Sequence, residues 1–280
     1  MYTKEELLKE VKGDILSDDP DDTRIAREFY SKYWPILSSN IDDYDGSIGK
    51  YRGETIISFN TIAGCMIRLL PISSVGFFSM PRKTVERLGV ILASRIPGIE
   101  SAREDEIKQN FIRLYEIYHS LANFMPLPMD KWIEQNQNPC NKTNIVNMNQ
   151  AKGSQHRKCD CTHYYDFPDL FFKDLRRLHF DEPEGNDRAK PHFLESEINT
   201  EYIKKFKSWN EFIENNYLQD FFADREYDEF IQLAPISGKF PYTQTIADTL
   251  REDERKTCME QIFTFLETAI KIIEKRAERL

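Results

Sequence analysis

Histidine and cysteine are scarce in this sequence, with five of each among 280 residues. The cysteines are odd in number and scattered, the pattern of reduced thiols rather than of a disulfide framework. No apolar run approaches the ~18 residues that a membrane-crossing helix needs, and Arg68 breaks the best stretch. The opening, MYTKEELLKEVKGDIL, places acids and bases where a secretory signal needs an apolar core. These absences predict a cytoplasmic protein with no membrane partner. Basic residues are also outnumbered, 38 Lys and Arg against 47 Asp and Glu, and the net charge of -9 repels phosphate polymers at long range. Generic nucleic-acid binding is therefore disfavoured. Locally the balance reverses, with seven Lys and Arg against four Asp between Cys140 and Phe180, so a local anion site survives. No internal repeat or low-complexity tract is visible.

What is present is aromatic mass. With 19 Phe, 13 Tyr, 3 Trp and 40% hydrophobic residues, the chain is too apolar to stay disordered and long enough to bury a core without staples. Its apolar residues recur every three to four positions. ETIISFNTIAGCMIRLL, Glu54 to Leu70, repeats at Ile56, Phe59, Ile62, Met66 and Leu69 and reads as a buried helix ended by Pro71. SAREDEIKQNFIRLYEIYHSLANFMPLP opens with Ser101 and Glu104 in capping-box spacing. It sets Ile107, Phe111, Leu114 or Tyr115, Tyr118 and Leu121 on one stripe, and Pro126 and Pro128 forbid its continuation.

Further helices are expected after Asp22 as a cap, from Asp166 with Pro168 just inside, after Ser208 with Glu211, and from Thr249 with Glu252 to Leu280. The last carries the stripe Ile262, Leu266, Ala269 and Ile270, Ile273, which suits core burial or docking onto a partner. The expected fold is mainly α: an irregular multi-helix bundle with long loops and little or no sheet. It forms a single helical domain over 1–280 with a long central loop at about 136–165, the alternative being a two-lobed split near 136–155.

Three constellations could carry chemistry. GKYRGETIISFNT brings Gly49 and Gly53, with Lys50 and Arg52, to the expected start of the Glu54 helix, and sets Glu54 and Asn60 beside it. Free N–H groups and the positive dipole end make such a place an anion seat; the plain reading is a glycine-rich turn with solvated cations. HRKCDCTH offers His156, Cys159, Cys161 and His163 as a possible zinc set. It lacks the paired knuckles of usual structural sites, so a thiol pair in a polar loop is the alternative, and no cofactor is predicted. DYDGSIGKYRGE spaces Asp43, Asp45, Ser47 and Glu54 like a calcium loop, but Ile48 stands where the sharp turn needs glycine.

RLYEIYH, with Arg113 and His119, and RKCDCTH, with Arg157 and His163, resemble the Arg-to-His spacing of the helical HEPN ribonucleases. That resemblance implies RNA cleavage, with His as acid or base and Arg steadying the phosphorane charge. Family members usually place a polar residue directly after the Arg, whereas the apolar Leu114 follows Arg113 here and the cationic Lys158 follows Arg157, and His119 also reads as a packed mid-helix histidine. More extensively, KYRGETIISFNT, NFMPLP and WNEFIENNYLQDFF, in this order, resemble blocks of an uncharacterised bacterial family, a domain of unknown function. This resemblance implies no activity. The expected role is a binding or regulatory module for an anionic ligand or protein partner, with the ribonuclease and the zinc protein as alternatives.

Overall fold

The computed structural model describes residues 1–15, 18–34, 51–59, 101–128, 168–181, 201–233 and 248–280. The fold is mainly α, with a single two-stranded ribbon among these residues. The chain divides into two compact units, each built from pieces far apart in sequence. One holds Met1–Glu10, Ile57–Asn123 and Gln232–Glu278; the other holds Val11–Ile56, Phe124–Ile231 and Arg279–Leu280.

The first unit contains α1 (Lys4–Leu7), α3 (Ser101–Ile117) and nearly all of α6 (Glu252–Arg279). In α1, Thr3 and Glu6 close a full capping box. Of the predicted stripe of α3, Ile107, Phe111, Leu114, Tyr118 and Leu121 lie in the core and Tyr115 is half-buried, and Phe59 packs its ring against Phe111 (4.9 Å), Tyr115 and Tyr118 (both 5.3 Å). The helix, however, stops at Ile117, before the prolines expected to end it; a 3-10 turn, Leu121–Asn123, follows.

A buried amide explains the early stop. The Asn123 side chain donates to Tyr118 O (2.7 Å) and Ile57 O (2.8 Å) and accepts from Ile57 N (3.1 Å). The bond to Tyr118 O thus replaces a partner that the backbone loses as the helix ends, while the other two join the segment at Ile57.

Helix α6 runs 28 residues, about 42 Å. Its cap is not Thr249: the Arg251 carbonyl accepts the first helical bond, and Glu254 reaches back to the Arg251 N–H (3.0 Å). The predicted stripe Ile262, Leu266, Ala269, Ile270 and Ile273 is buried, and Phe265 and Ile272 are buried too, so burial spreads wider than one stripe. Arg276, 1% exposed, donates to Ala122 O at 2.5 Å. Ion pairs from Arg113 to Glu274 and from Arg103 to Glu267 tie α6 to α3. Core packing within this chain therefore accounts for the apolar face.

In the second unit a 3-10 turn, Pro20–Asp22, leads into α2 (Arg24–Tyr33). The cap is Thr23, one residue beyond the predicted Asp22; its hydroxyl accepts from Ala26 N, while Asp22 pairs with Arg27 (3.2 Å). Residues Tyr51–Thr55 form β1, antiparallel to β2 (Phe124–Pro128), with Gly53 opposite Pro126 and Thr55 opposite Phe124. The prediction of helix from Glu54 is thus corrected at its start; residues 60–70 lie outside the described set, as do the central loop at 136–165 and Asp166. Prolines at alternate positions of β2 leave the N–H groups of Met125 and Leu127 for the ladder with β1, its one partner among the described residues.

Helix α4 (Pro168–His179) begins on proline as predicted, and α5 (Trp209–Asn215) is capped by Ser208, which accepts from Glu211 N. The helix ends in a Schellman motif. Leu218 N bonds Ile213 O (3.0 Å) and Tyr217 N bonds Glu214 O (3.2 Å), with Tyr217 at φ 56°. Glycine normally fills that left-handed position. Here the tyrosine ring packs edge-on against Trp34 at 5.5 Å. Trp34 itself is buried, and its indole N–H donates to Asn216 Oδ1 (3.0 Å), an oxygen that also accepts from the Tyr202 hydroxyl (2.8 Å).

The strain and the packing separate by substitution. Tyr217→Ala and Tyr217→Gly both lose the ring, but only glycine relieves the backbone. Urea denaturation is expected to find the alanine variant less stable than the glycine variant by about 1 kcal/mol.

Candidate functional site

The anion seat expected around Lys50, Arg52, Glu54 and Asn60 falls on β1. Positions 52 and 54 pair with Leu127 and Met125, so this main chain is ribbon rather than the N-terminal turn of a helix. The dipole argument for an anion does not hold at Glu54. Lys50 and Asn60 lie outside the described residues.

What fixes β1 is its packing on the acidic turn. A Cβ at Gly53 would overlap the carbonyl oxygen of Asp21 and the Tyr30 hydroxyl. Thr55 donates to the Asp21 carboxylate (2.6 Å), and Tyr30 donates to the Asp21 carbonyl (2.8 Å). One aspartate therefore holds the strand through its side chain and α2 through its backbone.

Arg113 and His119 do not form a joined pair among the described contacts. The guanidinium of Arg113 donates twice to Glu274 (3.0 and 2.7 Å) and lies 4.0 Å from Glu116, so its charge is matched within the fold. His119 sits two residues beyond the end of α3, not mid-helix, and its ring stacks on Tyr118 at 3.8 Å. Burial pushes its pKa down to about 4. The imidazole is neutral at pH 7, which suits a base but leaves little of the protonated form that an acid needs.

Linkage sets the sign of the pH effect. The unfolded chain, with His near 6.5, takes up a proton before the folded chain does, so stability falls as pH drops from about 6.5 to 4, by up to about 3 kcal/mol. Urea midpoints across that window should show this loss in the parent and a shallower one in His119→Gln. Equal slopes would mean that the ring is not held neutral.

His156, Cys159, Cys161 and His163 lie outside the described residues. Among the described residues no grouping of three or more His, Cys, Asp or Glu could hold a metal. Cys258 is buried in α6, and burial, then the Glu254 carboxylate, push its thiol pKa up. It is a packed thiol, not an activated one.

Among the described residues, a further polar arrangement is one the sequence did not signal. Arg176 of α4 donates to the Tyr227 carbonyl (3.0 Å) and to Asp228 (2.6 Å), pairs with Asp181 (3.2 Å), and lies 5.7 Å from the centre of the Trp209 ring. The Trp209 N–H donates to the same carbonyl (3.0 Å). Asp224 takes up the amides of Asp228 and Glu229, and these backbone bonds lower its pKa. Two donors on one carbonyl thereby hold Tyr227 at φ 59°. Burial, then the neighbouring Glu214 charge, raise its phenol pKa, while Arg279, bonded to Asp220 (2.5 Å), acts against them. The only local hint is ADREYDEF itself, with acids spaced to fold back on their own backbone.

No helix among the described residues is long and apolar enough to cross a membrane. No protein-family model, curated protein or solved structure matches the chain, so no relative supplies a substrate or a reaction.

Proposed function

We propose that this chain is a binding or regulatory module that uses the segment of Lys50, Arg52, Glu54 and Asn60 to engage an anionic ligand or protein partner. The observation that carries this reading is the clamp at Gly53 and Thr55. Steric contact with Asp21 and a hydrogen bond to its carboxylate fix the main chain that bears Arg52 and Glu54, and a preorganised backbone lowers the entropy lost on binding. The neutral His119 and the Glu274-bound Arg113 give the ribonuclease reading less support. The setting we infer is the cytoplasm, from the scattered cysteines, and a bacterial one, from the block resemblance. No cofactor enters the proposal.

Because the neighbouring turn is acidic, Arg52 has to supply the attraction for an anion. Inorganic pyrophosphate at saturating concentration should raise the melting temperature of the parent by about 5 °C. Arg52→Ala should melt at the parent's temperature without ligand and show no rise with it. A parent that pyrophosphate leaves unmoved, or an Arg52→Ala variant that keeps the full shift, would remove the anion-binding reading.

A further inference from the structure

No further inference is drawn: the strongest candidate, the acidic loop from Ala223 to Phe230 with its left-handed Tyr227 near Glu214, Asp220 and Arg279, offers only backbone strain and carboxylates, several already held by Arg176 and Arg279, and nothing in the structure shows what would bind there.

Discussion

Gly53→Ala should cost about 2 to 4 kcal/mol of stability, the range of overpacking at a site that cannot relax. The added methyl meets main chain: the carbonyl oxygen of Asp21, inside a 3-10 turn that starts at Pro20 and is tied by Thr23 Oγ1 to Pro20 O (2.9 Å). The effect is one of space rather than of dihedral angle. The second atom in the way, the Tyr30 hydroxyl, is the far end of a side chain, and this allows a discriminating control. If the main-chain contact dominates, Gly53→Ala combined with Tyr30→Phe stays as unstable as the two changes added together. Recovery of most of the lost stability in the double variant would show that the hydroxyl, not the carbonyl, sets the limit. Urea denaturation of the four proteins gives the answer.

Asn123→Ala is expected to cost about 3 to 5 kcal/mol. It deletes three buried hydrogen bonds and strands two carbonyls and one N–H of the main chain, each worth about 1 to 3 kcal/mol when left unsatisfied. Asn123→Asp should be no better at pH 7. It keeps an acceptor for Ile57 N but turns a carboxylate oxygen toward the carbonyls of Ile57 and Tyr118, which the amide nitrogen now serves. Hydrogen exchange at the Ile57 amide provides a local readout beside the unfolding midpoint. Protection in the parent and fast exchange in both variants are expected, and an unchanged midpoint in Asn123→Ala would mean that the turn finds other partners.

These two residues also show where the sequence stops being legible. The helical stripes of α3 and α6 were readable because their pattern is local: one face repeats every three to four residues, and the residues it selects are the buried ones. The Ser208 cap and the Pro168 start were readable for the same reason. β1 was not. Ile56, Ile57 and Phe59 are all buried, so a run entering the core mimics helical spacing. The fact that decides for strand, pairing with 124–128, lies some seventy residues away. Two prolines in β2 deepened the error, since they read as a helix stop. The caps at Thr23 and Arg251 were each missed by one or two positions, because several neighbouring residues can accept or carry the capping bond and only the fold chooses among them. Of the candidate site, positions 52 and 54 lie on a strand rather than at the helix start expected for them. The Arg176 and Tyr227 knot was invisible because its partners come from three separate stretches of chain.

The way α6 is buried bears on how the polypeptide reaches this state. Its inward residues between Cys258 and Ala277 join the same unit as α3 and the first ten residues. During synthesis, Phe111 and Leu114 therefore emerge well over a hundred residues ahead of the segment that carries Glu274 and Arg276. Assembly dominated by such distant pairings is slow and leaves apolar surface bare in the meantime. The nascent chain thus passes through a long interval of aggregation risk, during which a holding chaperone would keep its apolar faces covered.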